Sequence, residues 1–389
     1  MKEGYRLLVD FIRQVDVRNT DGKEENLLGV SVQKMFIPSI ANTVGTDFTK
    51  YKVVKRGQFT YIPDTSRRGD KIGIALLTDY DEGLVSNIYT VFEVKDENEL
   101  LPEYLMLWFS RPEFDRYARF KSHGSVREIM DWDEMCKVEL PVPSIDKQRS
   151  IVKAYQTITE RIELKRRIND HLEATAQAVF QEQFASFYGA DELPDGYRII
   201  NLDNLCTVKG GKRLPADCKL LDTPTDHPYI RVRDVGSNRY VCLTNQFQYI
   251  DEETYSAISR YIVNTGDIVI SIVGTIGLLG KIHSSLDKAN LTENCVKLAN
   301  IHTVTSDYLY YTLCYKKQIK EIDLLTVGAV QAKLPMYNIQ SMKILVPPTK
   351  AIEAFQRKMN VLNEQIEANT VEIQKLYELE EVLLAKLSD

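Results

Sequence analysis

The sequence predicts an α+β protein with two tandem similar domains, each followed by a long helix, and the two helices pair as an antiparallel coiled coil. Two observations support this fold class. The string Gly4-Tyr5-Arg6 recurs as Gly196-Tyr197-Arg198 and opens a second copy of the first half of the chain. Each copy then ends in a long polar segment whose apolar residues recur at helical spacing. An internal repeat of this length dictates the architecture before any single motif is considered.

The two copies keep a constant register towards their ends. Tyr104 corresponds to Tyr308 and Pro143 to Pro347, and each pair is separated by 204 positions, as from 104 to 308. We therefore predict a first domain over 1–143, a first helix over 144–189, a second domain over 190–347 and a second helix over 348–389.

Within each copy the dominant hydrophobic period is two, which indicates strands. The segment 229–233 alternates apolar and basic residues, which is typical of a half-exposed strand, and 266–273 reads as a turn that leads into a buried strand. The first copy has its counterpart at 57–62. Amphipathic helices are predicted at 102–110 and 306–315. Their aromatic residues should pack in the domain cores: Tyr104, Trp108, Tyr308 and Tyr311.

The segments after each domain carry the alternating four and three spacing of a coiled-coil seam. The predicted seam residues of the second helix are Phe355, Met359, Leu362, Ile366, Ile373, Leu376, Leu383 and Leu387. Those of the first helix are Ile151, Tyr155, Ile158, Ile162, Leu172, Ala176 and Val179. Polar residues interrupt the seam at Lys165, Asn169 and Asn369. Because a domain is interposed between the helices, they should pair antiparallel.

The helix ends carry recognisable signals. Ser144 and Thr349 follow proline clusters and are candidate N-caps, and Gly189 is placed to end the first helix. At 1.5 Å per residue a helix from 355 to 387 would measure ~50 Å. Such a rod is expected to hold the two domains a set distance apart.

Composition restricts the possible classes of protein. No stretch of the 389 residues reaches the ~20 apolar residues of a membrane span, and the start has no signal-peptide core, so a cytoplasmic location is expected. The six cysteines form no C-x-x-C pair and should be buried free thiols, not a zinc site or disulfides. No metal site is therefore predicted.

The net charge of −6 argues mildly against a protein that coats nucleic acid unaided. Basic residues nevertheless cluster between strand-like runs, where loops belong. The first-copy clusters are Lys52, Lys55, Arg56, Arg67, Arg68 and Lys71, and the second-copy clusters are Lys209, Lys212, Arg213, Arg231, Arg233 and Arg239. These clusters either form basic loops that bind a partner or are ordinary solvated charge on the protein surface.

The order of motifs resembles that of the DNA-specificity subunit of type I restriction-modification systems, over essentially the whole chain. Each string is weak by itself, but their order is specific. The strings are the two Gly-Tyr-Arg entries, Lys209-Gly210-Gly211-Lys212-Arg213-Leu214-Pro215, Pro228-Tyr229-Ile230-Arg231-Val232-Arg233-Asp234, Gly266-Asp267-Ile268-Val269-Ile270, Gly274-Thr275-Ile276-Gly277 and Leu345-Val346-Pro347-Pro348 before the last helix.

The resemblance implies that each domain is a target-recognition domain that reads one half of a split DNA site. It implies that the paired helices set the gap between the halves and dock two adenine methyltransferase subunits, which restriction/translocase subunits would join. S-adenosylmethionine, ATP and Mg²⁺ are then expected on those partner subunits, and no cofactor on this chain. The first copy departs from the pattern, because a longer loop at 63–73 stands where the second has Gly274-Thr275-Ile276-Gly277. Divergent domains should read an asymmetric site.

DNA reading requires phosphate contacts from Lys and Arg, and base contacts from short polar side chains or a bidentate Arg on guanine. The candidate DNA-binding residues are Arg67, Arg68, Lys71 and Arg127 in the first domain, and Lys212, Arg213, Arg231, Arg233, Thr275, Gln331 and Lys333 in the second.

An enzyme is the alternative. Pro63-Asp64 with Glu93-Val94-Lys95 spells a PD-(D/E)xK nuclease signature, in which Asp64 and Glu93 would hold Mg²⁺ and Lys95 would position water. The second copy has Lys297-Leu298-Ala299 at the equivalent place, which argues against it. No Asn/Asp-Pro-Pro-Tyr/Phe tetrapeptide and no G-x-x-x-x-G-K-S/T loop occurs, so methyltransferase and nucleotide-binding chemistry are not supported. A pure coiled-coil scaffold is disfavoured, since it would need no basic loops.

Overall fold

The structure is a computed structural model that describes residues 4–39, 45–65, 71–122, 128–236, 239–244, 247–328 and 332–388. The chain divides into two compact units. The first unit comprises Met1–Leu164 and Lys375–Asp389, and the second comprises Lys165–Gln374. Each long helix thus contributes residues to both units, whereas the sequence boundaries assign each helix a segment of its own.

The first unit is built on a four-stranded antiparallel sheet in the order β2-β9-β6-β7. Pairs β1 with β10, β3 with β4, and β5 with β8 stand outside it. The strands are β1 Tyr5–Leu7, β2 Ile12–Val15, β3 Leu28–Val30, β4 Phe36–Pro38, β5 Lys52–Lys55, β6 Phe59–Tyr61, β7 Ile74–Leu76, β8 Glu82–Val85, β9 Thr90–Val94 and β10 Glu139–Pro141.

The second unit has a five-stranded sheet in the order β12-β19-β16-β17-β14, a three-stranded sheet in the order β15-β13-β18, and the pair β11 with β20. Its strands are β11 Arg198–Asn201, β12 Thr207–Gly210, β13 Pro228–Ile230, β14 Tyr240–Val241, β15 Gln248–Tyr249, β16 Ile268–Ser271, β17 Leu279–Ile282, β18 Asn290–Leu291, β19 Cys295–Ala299 and β20 Lys343–Val346.

Two long helices and seven short ones complete the described fold. They are α1 Pro102–Ser110, α2 Pro112–Lys121, α3 Trp132–Cys136, α4 Ile145–Phe184, α5 Glu252–Ile258, α6 Ser306–Cys314, α7 Lys316–Leu325, α8 Met336–Ser341 and α9 Thr349–Ala385. Among the described residues no helix is both long and apolar enough to cross a bilayer.

The two units repeat one topology, which confirms the internal repeat. The order β2-β9-β6-β7 of the first sheet recurs as β12-β19-β16-β17 in the second, with β14 added at the edge. Helices α1 and α2 recur as α6 and α7 at the separation of 204, as from 102 to 306. A buried hydrogen bond recurs too: the Tyr104 hydroxyl donates to the Pro141 carbonyl over 3.1 Å, and Tyr308 donates to Leu345 over 2.7 Å.

The aromatic residues of the short helices lie in the cores, as predicted. Tyr104 is 1% exposed and Trp108 6%, while Tyr308 and Tyr311 are fully buried. The predicted turn at Gly266 has a φ of +84° and leads into β16, whose four residues are all buried. In the first unit β6 is likewise buried throughout.

The alternating segment at 229–233 differs from the prediction. Strand β13 ends at Ile230, and Val232–Asp234 is a turn of 3₁₀ helix. The carboxylate of Asp234 accepts a hydrogen bond from the backbone N–H of Arg231 over 2.8 Å. This local bond competes with strand formation and bends the chain after the strand.

The long helices run antiparallel within each unit. In the second unit the Phe355 ring lies 6.0 Å from that of Phe180 and 5.5 Å from that of Phe184, between ring centroids. In the first unit Val152 and Leu387 share one apolar core. None of the predicted seam residues is exposed.

The polar seam residues of the second unit bond to one another. Asn369 is fully buried, donates to the Asn169 side-chain oxygen over 2.8 Å and accepts from the Lys165 ammonium over 2.9 Å. The same ammonium lies 2.9 Å from the carboxylate of Glu372. A satisfied buried polar layer favours one register of a helix pair over alternatives that would leave these groups unpaired.

Candidate nucleic-acid interface

Four strands of the second unit place their neighbouring loops at one end of the sheet. Because β12, β19, β16 and β17 pair antiparallel in that order, the end of β12, the start of β19, the end of β16 and the start of β17 are adjacent. The basic loop at 211–213 follows β12, and the turn at 274–277 joins β16 to β17. Two separate sequence motifs therefore share one edge of the molecule.

Gly211 allows the basic loop to cross close over the neighbouring chain. Its N–H donates to the Cys295 carbonyl over 3.0 Å, and the Lys212 N–H donates to the Leu291 carbonyl over 2.8 Å. A Cβ on Gly211 would lie 2.6 Å from the carbonyl carbon of Thr292 and closer still to two carbonyl oxygens, so no larger residue fits without movement of the backbone. The crossing leaves the side chains of Lys212 and Arg213 exposed.

Two predicted cations of this loop region already have protein partners. The guanidinium of Arg213 donates to the Glu293 carboxylate over 2.7 Å from a largely exposed position. Arg231 is partly buried, and its guanidinium donates to both carboxylate oxygens of Asp234, over 3.0 and 3.1 Å, and also to Gln248. This bidentate pair occupies the guanidinium donors of Arg231 with which it would otherwise bind guanine. The Arg233 side chain is the more exposed of the two, 3.7 Å from Asp234.

Thr275 lies at the tip of the tight turn between β16 and β17. Gly274 and Gly277 adopt φ values of +82° and +80°, which only glycine adopts without strain. The Ser271 hydroxyl donates to the Thr275 carbonyl over 2.6 Å and accepts from the Leu278 N–H over 2.9 Å. The turn is thus held rigidly, and the Thr275 side chain is exposed.

Lys333 lies beside this turn. It forms an isolated β-bridge with Val273 and exchanges two backbone hydrogen bonds with Val327, over 2.8 and 2.9 Å. Its side chain is exposed. The structure therefore brings Lys212, Arg213, Thr275 and Lys333 to the same end of the sheet, while Gln331 lies outside the described residues.

The first unit repeats this arrangement with a different loop. Asp64 forms a β-bridge with Ile129, which is the repeat counterpart of Lys333, and Thr65 donates to the Glu128 carbonyl over 3.0 Å. The start of the loop between β6 and β7 is therefore paired with the segment that precedes α3. Arg67, Arg68 and Arg127 lie outside the described residues; Lys71, which follows the gap, is exposed.

A partly buried ion pair that the sequence did not reveal holds the far side of this loop. The Asp115 carboxylate accepts from the Lys34 ammonium over 2.5 Å and from the Ile72 N–H over 3.2 Å. Burial lowers the pKa of Lys34 although Asp115 opposes the shift. The pair fixes the chain next to Lys71, and no local motif signals it, because Lys34 and Asp115 are far apart in sequence.

Two residues of the basic clusters are structural instead of exposed. The Lys52 side chain is buried and its ammonium donates to the Tyr89 carbonyl over 2.8 Å. Arg239 is also buried, with its guanidinium bonded to Asp307, Asn363 and the Tyr311 hydroxyl. The expectation that Lys52 and Arg239 lie in exposed loops is wrong, because each side chain is buried and donates hydrogen bonds to acceptors within its own unit.

Asp307 is the centre of a buried charge cluster in the second unit. Besides Arg239, its carboxylate accepts from the Lys281 ammonium over 2.6 Å, from Gln356 over 2.6 Å and from Asn363 over 2.7 Å. Burial alone raises the pKa of this carboxyl, but the two cations outweigh it and hold the pKa below its ordinary 3.8. Since Gln356 and Asn363 lie on α9, the cluster ties the second domain to that helix.

The nuclease alternative gains no support from the geometry. The two carboxylate oxygens of Glu93 accept from Arg13 over 2.6 Å and from Gln58 over 2.8 Å. The Lys95 ammonium donates to the carbonyl of Val9 over 2.7 Å. Within the part of the chain that the structure describes, no group of three or more His, Cys, Asp or Glu residues is placed to hold a metal ion.

The cysteines of the described chain are all free thiols. Cys206 and Cys295 are buried as predicted, and the other four are partly buried: Cys136, Cys218, Cys242 and Cys314. Burial raises the pKa of the Cys206 and Cys295 thiols to about 12, which keeps them protonated and unreactive at neutral pH.

The second sheet presents polar and basic side chains at one end, and the first sheet repeats its topology with the exposed Lys71 beside the corresponding loop, an arrangement suited to a protein that contacts nucleic acid. A family model described as the type I restriction modification DNA specificity domain matches residues 11–174 and 194–382. The chain belongs to this family of type I DNA specificity proteins.

Relatives and one solved structure agree with this assignment. The chain is 22% identical to the type I restriction enzyme MjaIX specificity subunit of Methanocaldococcus jannaschii over 74% of this chain and 68% of that protein. It is 21% identical to the type I restriction enzyme HindI specificity subunit of Haemophilus influenzae over 86% of each. A crystal structure of a type I restriction-modification system S subunit from M. genitalium has the same fold, with a TM-score of 0.53, 14% identity and coverage of 99% and 96%.

Proposed function

We propose that this chain is the sequence-specific DNA-recognition subunit of a type I restriction-modification complex. Each domain reads one half of a bipartite target at the loop end of its sheet. The observation that carries the proposal is the repeated topology, in which matching strands of both units deliver different loops to the same end.

The differences between the loops support an asymmetric target. The second unit presents a four-residue turn around Thr275, whereas the first presents the longer segment 63–73 at the equivalent strand junction. Hydrogen-bond donors and acceptors at different positions match different base edges. The DNA target is therefore expected to consist of two half-sites of different sequence.

The chain itself is proposed to be non-catalytic. The carboxylate of Glu93 is engaged in structural hydrogen bonds, and the family to which the chain belongs is described by its DNA specificity. Methylation and cleavage would then reside on partner subunits: two adenine methyltransferase subunits with S-adenosylmethionine, and restriction/translocase subunits with ATP and Mg²⁺. The paired helices are proposed to dock the methyltransferase subunits and to set the gap between half-sites.

A binding experiment with single lysine variants tests the reading surface. Lys212→Ala and Lys333→Ala each remove one exposed cation at the loop end, and Lys343→Ala removes an exposed cation on β20, outside the five-stranded sheet. Each phosphate contact contributes about −0.9 to the slope of log K against log salt concentration. The first two variants should therefore reduce that slope by about 1 each.

The measurement is fluorescence anisotropy of labelled duplex DNA with the assembled methyltransferase complex at several salt concentrations. The slope should be unchanged for Lys343→Ala. Equal slopes for wild type, Lys212→Ala and Lys333→Ala would remove the loop end from the interface.

A further inference from the structure

Arg213 and Glu293 form an exposed ion pair at the loop end of the second sheet. The Arg213 side chain is 81% exposed, and its Nε donates to one carboxylate oxygen of Glu293 over 2.7 Å. Its two terminal nitrogens, Nη1 and Nη2, form no hydrogen bond with any residue that the structure describes. The pair therefore holds the guanidinium through one nitrogen and leaves the two outer donor groups open to a ligand.

The carboxylate of Glu293 is itself held in place. Its second oxygen accepts from the hydroxyl of Thr292, a buried residue, over 3.1 Å. Burial by itself raises the pKa of Glu293, but the hydrogen bonds from Arg213 and Thr292 outweigh it and keep the pKa below its ordinary 4.5. The group is thus ionised at neutral pH, and it links the buried Thr292 to the exposed guanidinium.

The backbone that precedes Arg213 is fixed as well. The Lys212 N–H donates to the Leu291 carbonyl over 2.8 Å, and the Lys212 carbonyl accepts from the hydroxyl of the buried Tyr229 over 2.7 Å. Both backbone polar groups of Lys212 are therefore bonded. A side chain recognises a ligand precisely only when its supporting residues are locked in position. Arg213 meets this condition at its backbone and at its Nε.

The charges of the pair favour base reading over phosphate binding. Glu293 cancels the charge of Arg213 locally, so the pair adds little net attraction for the phosphate backbone. Two donor groups that are positioned and unoccupied match instead the paired acceptors O6 and N7 on the major-groove edge of guanine. Arg231 differs in this respect, because all three of its guanidinium nitrogens donate to Asp234 or Gln248.

We propose that Arg213 reads a guanine in the half-site of the second domain, with Nη1 and Nη2 donating to O6 and N7, and that Glu293 is the positioning residue that holds the guanidinium for this contact. The inference rests on the proposed function, since it names one base of the DNA target. A good bidentate contact discriminates against the wrong base by about 5- to 140-fold in affinity. One position of that half-site is therefore a G·C pair with a preference of this size.

Mapping of methylated adenines by the assembled methyltransferase complex tests the base that is read. Arg213→Met should relax one position of one half-site, and that position should be a G·C pair in the wild-type consensus. Arg13→Met is the matched control, because Arg13 forms an exposed ion pair with Glu93 near the end of β9, away from the loop end of its own sheet. This control should relax no position. Relaxation at an A·T pair or at several positions in Arg213→Met overturns the inference.

The same mapping separates the inference from the proposed function. A wild-type consensus without two specific halves overturns the proposed function and the inference with it. A bipartite consensus that Arg213→Met leaves unchanged overturns the inference alone.

A duplex with 7-deazaguanine at the relaxed position tests the contact at a single atom, because this base lacks the N7 acceptor and keeps its Watson–Crick pairing. In fluorescence anisotropy the wild-type complex should bind it about tenfold more weakly than the guanine duplex, since a hydrogen bond to a charged donor is lost. The Arg213→Met complex should bind the two duplexes equally. Equal binding of both duplexes by the wild type, with a uniform loss of affinity for all sequences in Arg213→Met, would make Arg213 a phosphate contact and overturn the inference.

Two variants of Glu293 test its positioning role. Glu293→Gln keeps an oxygen that accepts from the Nε of Arg213 and should retain most of the preference for guanine. Glu293→Ala removes that acceptor, so the preference should fall, while unrelated duplexes should bind more tightly because a negative charge has left the surface. A merely structural role would weaken specific and unrelated binding together. That result, or an undiminished preference for guanine in Glu293→Ala, overturns the role assigned to Glu293.

Discussion

Replacing Gly211 by alanine should destabilise the second unit and disturb one half-site. The added Cβ would lie 2.6 Å from the carbonyl carbon of Thr292, so backbone must move by roughly an ångström to restore van der Waals contact. Overpacking of this kind costs about 1–3 kcal/mol. For a unit of this size the cost corresponds to a fall in Tm of about 2 to 12 °C, measurable by differential scanning calorimetry.

The neighbouring glycine provides the control. A Cβ on Gly210 would meet no atom within 4 Å, so Gly210→Ala should change the free energy of unfolding by less than about 0.5 kcal/mol. The displaced loop in Gly211→Ala carries Lys212 and Arg213, so affinity for duplexes altered in one half-site should change while discrimination in the other half persists. Equal stability of the two variants would refute the close crossing of the loop.

Three further predictions concern the core, the proposed lack of catalysis and the helices. Asp307→Ala leaves the cations Arg239 and Lys281 without their carboxylate and should lower the free energy of unfolding in urea by about 3–5 kcal/mol. In the wild type this stabilisation is present above the unfolded pKa near 3.8 and is lost as the pH falls through the lower folded pKa of Asp307. A variant as stable as the wild type would contradict the cluster. Asp64→Ala and Glu93→Ala should leave cleavage by the assembled complex intact, and loss of cleavage with normal DNA binding in both would establish a nuclease site. Insertion of one heptad into each long helix, beside Asn169 and Asn369, should lengthen the gap by ~10 Å, or about three base pairs, and recovery of the original gap at full activity would show that the helices do not measure it.

The repeat and the helix pair could be predicted because they are periodic. The seam residues recur at coiled-coil spacing, and the separation of 204 persists into α1, α2, α6 and α7. Turns at glycine were also predictable, and Gly266 and Gly274 do adopt positive φ in the structure. Strand order was not, because β2 pairs with β9 through contacts between segments far apart in the chain.

The candidate site was predictable only in part, because the sequence does not show which basic side chains pair with acidic groups of the same chain. Arg231 belongs to an alternating string, but Asp234 three residues later captures its guanidinium. Arg239 pairs with Asp307, 68 positions away, which no local pattern shows. The exposed cations Lys212, Arg213 and Lys333 are brought together by the pairing of β12, β19 and β16. Because the sequence does not give this strand pairing, it does not show that the three residues share one surface.

Mapping of methylated adenines by single-molecule sequencing tests the central claim most directly. The chain would be co-expressed with its methyltransferase subunit in a host without other adenine methylation. Two different reading domains predict methylation at a target of two unlike specific halves separated by unspecified bases, and Thr275→Ala should alter the consensus of one half alone. A single uninterrupted target, or a change in both halves from that one substitution, would contradict the account.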